Sequence, residues 1–172
     1  SDKPKFAMYW AASCGGCEIA VLNIHEKILD VDANFDVVFW PVAMDAKYKD
    51  VEAMPDKSIL LTLFNGGIRN DENEHIAKLL RAKSQILVAF GSCANEGCIP
   101  GLANLSDARE IVSTAFNTIS TDNPKHTYPM TSYDVPEGEI HIPTIYPTLR
   151  TLDQVVDVDY YMPGCPPESH QI

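Results

Sequence analysis

The sequence predicts an α/β fold built on a doubly wound parallel sheet. Three observations lead there. Segments of strand character alternate with segments of helical period from Phe6 to Ile119. Eight of the nine glycines follow the carboxyl end of a predicted strand, where the loops of such a sheet gather ligands. The third strand segment, Ser58 to Phe64, is nearly continuous in apolar residues, as a strand buried on both faces should be.

Phe6 to Trp10 reads as the first strand. Behind it, Ile19, Leu22, Glu26 and Leu29, beside Ala20, Ile24 and Ile28, form a stripe of helical period with one polar break. Phe35 to Trp40 is a second strand, ended by Pro41, and Ser58 to Phe64 a third, turned by Asn65-Gly66-Gly67. Asp71 to Glu74 offers a capping-box start for a helix through Ile76, Leu79 and Leu80, with Arg81 and Lys83 in its last turn. Gln85 to Phe90 is a fourth strand, and Ser106 can cap a helix from Asp107 to about Ile119. Beyond Thr121 the texture changes, because eight of the twelve prolines lie at Pro124 or later. Residues 122–154 are expected to be a long, mostly irregular excursion, after which Val155 to Met162 recovers strand character.

A length of 172 residues suits a single domain, 1–172. Thirteen Lys and Arg against 24 Asp and Glu leave a net charge of −11, which repels phosphate and argues against a nucleic-acid partner. No apolar run reaches the roughly 18 residues a membrane helix needs, so no membrane insertion is expected.

Five cysteines carry the chemistry: Cys14, Cys17, Cys93, Cys98 and Cys165. An odd number in a chain of this length does not read as a secreted disulfide framework. They fall in three Gly- or Pro-rich segments, Cys14-Gly15-Gly16-Cys17, Cys93 to Cys98, and Pro163-Gly164-Cys165-Pro166-Pro167. The predicted strands would deliver all three to one sheet edge. Four thiolates at one place suit an iron–sulfur cluster, for which Cys14, Cys17, Cys93 and Cys165 would serve. They also suit a tetrahedral zinc on Cys14, Cys17, Cys93 and Cys98. Cys14 and Cys17, between a strand and a helix start, are a third fit as a dithiol redox pair, and unligated structural cysteines are the last alternative.

Three motifs, Cys14-Gly15-Gly16-Cys17, Gly91-Ser92-Cys93-Ala94 and Gly164-Cys165-Pro166-Pro167, stand in one order across nearly the whole chain. In that order the sequence resembles the cluster-binding domain of nickel–iron hydrogenase small subunits, which is shared with the homologous 20 kDa subunit of respiratory complex I. Met44 to Tyr48, Gly66 to Asn70 and Ile99 to Asn104 are most similar to the cytoplasmic methyl-viologen-reducing type, which couples to heterodisulfide reductase. The resemblance implies a flavodoxin-like fold. It implies Cys14, Cys17, Cys93 and Cys165 as ligands of a proximal 4Fe–4S cluster facing a large catalytic subunit that holds the nickel–iron centre. This chain would then relay single electrons onward without being catalytic alone.

Complex I subunits carry adjacent cysteines in the first motif, whereas two glycines intervene here, which favours the hydrogenase branch. Many hydrogenases use an acidic residue two places after the second cysteine in proton transfer. Here Glu18 follows Cys17 directly and is the candidate for a proton path. Cys98 stands where the motif commonly has Gly and is read as a small apolar filler. Longer family members continue with a ferredoxin-like region, and the end at Ile172, where a helix would normally begin, reads as truncation. Gly15, Gly16, Ser92 and Ala94 are expected to offer amides to the cluster sulfurs. A hydrogenase-derived complex without nickel is the alternative setting for the same site. Histidines 25, 75, 126, 141 and 170 read as surface or core residues, and Tyr9, Trp10 and Trp40 as packing.

Overall fold

A computed structural model describes residues 2–172. The chain begins β1 (Lys5–Trp10), α1 (Gly16–Leu22), α2 (Ile28–Asn34), β2 (Asp36–Phe39), α3 (Tyr48–Glu52) and β3 (Ile59–Asn65). There follow β4 (Ile68–Asn70), α4 (Asp71–Lys83), β5 (Ser84–Phe90), α5 (Ser92–Glu96), α6 (Cys98–Gly101) and α7 (Ala108–Asn117). The last part holds β6 (Ser132–Val135), β7 (Gly138–His141), β8 (Ile145–Arg150) and β9 (Tyr160–Met162). Five strands make one parallel sheet in the order β2-β1-β3-β5-β9. That is the flavodoxin-like order, with β1, β3, β5 and β9 sharing one carboxyl edge.

Alternation along β1 splits the core between the two sheet faces. Ala7 and Tyr9 join Phe39, Phe64, Ile76 and Leu80 on the side of α3 and α4. Phe6 and Met8 join Val21, Trp40, Leu63 and Phe90 on the side of α1. Phe64, Phe90 and Leu80 are fully buried, each side chain stabilising the fold by about 1.5–3 kcal/mol.

The stripe behind β1 folds differently from its period. The helix breaks after Leu22, and His25 takes a left-handed φ of 58° before α2 resumes. Ile19, Leu22 and Leu29 face outward, while Cys17, Ala20, Val21 and Ile24 face the sheet. Alanine and the thiol pack closer to the sheet than the larger side chains of the stripe would. Helix α4 begins one residue earlier than its acidic run suggests, with the Asn70 side chain accepting from Asn73 N–H at 2.8 Å. At α7 the cap is Asp107, in a reciprocal box with Glu110, not Ser106.

Residues 122–154 contain more regular structure than their composition signals. β6 and β7 form an antiparallel hairpin, and β8 pairs with β4. Asn104 fixes β8, donating to Leu149 O at 2.8 Å and accepting from Leu149 N–H at 2.7 Å. Glu74 of α4 pairs with Arg150 and with Lys78. These strands escape detection because only Leu149 and Leu152 of the stretch are buried.

Candidate functional site: a cysteine cluster at the carboxyl edge of the sheet

Each cysteine loop starts where a parallel strand stops. The β1 loop turns through Gly15, whose φ of 80° precedes α1 and puts Cys17 in its first turn. The Trp10 indole donates to Ser13 O at 3.0 Å and packs against Gly15, where an added Cβ would meet the ring at 2.9 Å. Cys14 stays exposed and accepts from Gly16 N–H at 3.4 Å, whereas Cys17 is buried.

The loops after β5 and β9 are joined to each other. Gly91 N–H donates to Met162 O, and Ser92 N–H to Gly164 O, both at 2.8 Å. Gly164 N–H returns to Ser92 Oγ at 3.1 Å. These bonds set buried Cys93 beside exposed Cys165. Ser92 N–H is thereby committed to Gly164 and does not face a sulfur, so of the expected amides Gly16 is the one bonded to a thiol. Gly91 has no room for a side chain: a Cβ there would stand 2.3 Å from Cys17 Sγ, and its φ is 84°.

The thiols sense one another. Burial pushes the Cys17 thiol up to about 12, helped by the charges of Cys93, Cys14 and Cys165. Cys93 is pushed up to about 11, by burial first and then by Cys98, Cys14 and Cys165. A hydrogen bond with Cys98, and then its charge, raises Cys165. All four cysteines of the predicted ligand set therefore converge, and so does Cys98. Cys98 is half-buried with a left-handed φ of 45°, beside Cys93 and Cys165, so it is not the buried apolar filler its sequence position suggests. Among the described residues, no three His, Cys, Asp or Glu side chains close on a point as ligands of one metal ion would.

Glu18 is also brought to the site, 3% exposed. Trp40 Nε1–H donates to its Oε2, while Oε1 has no partner. Burial raises its carboxyl pKa, which Trp40 and Asn65 pull back down. Asn65 is the residue sequence reading passes over, since as part of Asn65-Gly66-Gly67 it signals only a turn. Its side chain is fully buried beneath the cysteine loops. His170 is exposed, pairs with Glu168 at 3.2 Å, and lines a surface pocket with Gly16 and Pro166.

A flavodoxin-like sheet with cysteine loops at one edge defines a class of redox subunit, and the chain belongs to it: residues 14–172 match the family described as NADH ubiquinone oxidoreductase, 20 Kd subunit. Within that class the chain is 43% identical over 170 residues to the iron-sulfur subunit of the F420-non-reducing hydrogenase of Archaeoglobus profundus, spanning 98% of this chain and 53% of that protein. It is 25% identical to the delta subunit of the NAD-reducing hydrogenase HoxS of Cupriavidus necator, over 99% of this chain and 75% of that protein. A chain in the crystal structure of an NAD+-reducing [NiFe]-hydrogenase in the H2-reduced state superposes with a TM-score of 0.82 at 26% identity, over 98% of this chain and 85% of that one. The fold extends to the [NiFeSe] hydrogenase from Desulfovibrio vulgaris Hildenborough, with a TM-score of 0.58 at 14% identity, over 98% of this chain and 56% of that one. The chain spans about half the length of the F420-non-reducing relatives it matches. Among the described residues no helix is long and apolar enough to cross a membrane.

Proposed function

We propose that this chain is the electron-transfer part of a nickel–iron hydrogenase complex in the cytoplasm, with a 4Fe–4S cluster on Cys14, Cys17, Cys93 and Cys165. The observation that carries the reading is the convergence of four thiols, from loops after β1, β5 and β9, on one edge of a family-typical sheet. The donor set fits the group. Cys14 and Cys165 lie near enough to the buried Cys17 and Cys93 to push both of those thiols up, so the four border one space. As bare thiolates they would repel, and bound iron would neutralise them. Gly91 leaves open the space against Cys17 that any side chain would fill.

Such a cluster supplies one-electron transfer. The chain's own residues do the rest. Phe90, Ala94 and the sheet exclude water from Cys17 and Cys93, while Cys14 and Cys165 face the surface that a large catalytic subunit holding nickel and iron would cover. Gly16 N–H supports Cys14. Glu18 Oε1, buried and unbonded, is the atom on which a proton would be held beside Cys17. Further electron-carrying subunits, heterodisulfide reductase among them, would accept the electrons.

Cys98 gives a specific reason to weigh a second donor set, Cys14, Cys17, Cys93 and Cys98 around zinc, because it touches the same cluster of thiols. Single Cys165→Ser and Cys98→Ser variants decide. The cluster reading expects Cys165→Ser to lose most of its iron and brown absorption while Cys98→Ser keeps both. Iron retained in Cys165→Ser overturns the ligand set, and a colourless wild type holding zinc favours the second reading.

A further inference from the structure

A fully buried polar side chain with neither end well bonded lies directly beneath the cysteines. Asn65 ends β3, between Trp10 of β1 and Phe90 of β5 in register. Its main chain is paired, accepting from Ala11 N–H at 2.8 Å. Its side chain is 0% exposed and lies near enough to Glu18 to hold that carboxyl's pKa down, yet neither Nδ2 nor Oδ1 makes a well-formed hydrogen bond. A buried carboxamide left this way costs free energy that an apolar residue of the same size would avoid. The nearness of Asn65 to Glu18 leaves at least one end of the amide free to serve another group.

Its surroundings indicate which. A Cβ at Gly91 would stand 2.3 Å from Cys17 Sγ and 3.7 Å from Asn65 Oδ1, so thiol and carboxamide border the same small space. Rotation about the last side-chain bond exchanges the two ends of an amide. A thiolate beside it draws the N–H end, since hydrogen bonds to charged acceptors are the strong ones.

We propose that Asn65 is a positioning residue for the cluster, its carboxamide donating a hydrogen bond to the Cys17 thiolate. The inference rests on the reading of Cys17 as a cluster ligand. A donor on a ligating sulfur stabilises the reduced cluster, which carries more negative charge, more than the oxidised one. Asn65 therefore sets the midpoint potential upward.

The test is potentiometric titration, followed by the electron-paramagnetic-resonance signal of the reduced cluster, on protein isolated anaerobically with its cluster. Wild type is compared with Asn65→Leu and with Asn65→Ala, both of which lose the donor without adding a charge. Both variants are expected to hold wild-type iron and to show an oxidised-to-reduced ratio about tenfold higher at a fixed potential, a downward shift of about 59 mV for one electron. Asn65→Leu is expected to melt no lower than wild type once iron is removed. Loss of iron from both variants with the iron-free fold intact also supports the contact. An unchanged potential in loaded variants overturns it and leaves the amide to Glu18, and failure of both variants to fold marks Asn65 as structural only. Wild-type protein without iron would instead overturn the underlying cluster reading.

Discussion

The carboxyl edge of the sheet and the stretch 122–154 are built on opposite terms. At the edge, Asn65, Phe90 and Ala94 are fully buried and Cys17 and Cys93 nearly so. There, backbone bonds tie the β5 loop to the β9 loop. In 122–154 the hairpin leaves Tyr133 and Ile140 more than half exposed, and the attachment runs through β8, Asn104 and the Glu74–Arg150 pair. The edge is held by packing from every side, whereas the exposed hairpin is held from its flanks, by Tyr128 and Asn123 against α7 before it and by β8 after it. The same kind of change should therefore cost very differently in the two places.

Gly91→Ala is the severest way to break the contrast. It forces a side chain into a φ of 84° and against the Cys17 sulfur. Equilibrium denaturation of the iron-free chain should show a loss of about 3 kcal/mol, with iron binding abolished. A loss under 1 kcal/mol would mean that the edge is looser than described.

Glu74→Gln probes the tie between the regions. Its bonds with Lys78, Tyr146 and Arg150 hold the Glu74 carboxyl down at about 2, against 4.5 ordinarily. A lowered carboxylate contributes stability that is complete above the ordinary value and disappears as pH falls toward 2. The variant should be about 1 kcal/mol less stable than wild type at pH 7 and indistinguishable at pH 2. A constant difference across that window would assign the effect to packing. At the far end of the scale, Ile140→Ser on the exposed hairpin should change stability by no more than about 0.5 kcal/mol, measured by thermal unfolding. A larger loss would reveal a supporting contact for β7.

Much of this was legible in the residues. Parallel strands show as apolar runs such as Leu60 to Phe64, and cysteines flanked by Gly or Pro mark loops that approach a bound group. What escaped lies in contacts between distant segments. The Trp40–Glu18 bond and the burial of Asn65 have no local signature, because their partners come together only across the sheet. β4, three residues long, has no period to read. The break at His25 reflects the close seating of Cys17 and Ala20, which outweighs the outward stripe of Ile19, Leu22 and Leu29.

The β9 loop has a bearing on how the protein is made. β9 is one edge strand and follows the other four of the sheet along the chain, and its loop supplies Cys165 and the carbonyl that receives Ser92 N–H. A nascent chain would display Cys14, Cys17 and Cys93 well before that loop existed to complete the set. On the proposed ligand set, maturation of the site thus waits on translation of the β9 loop, and machinery that loads iron would act after β9 has docked.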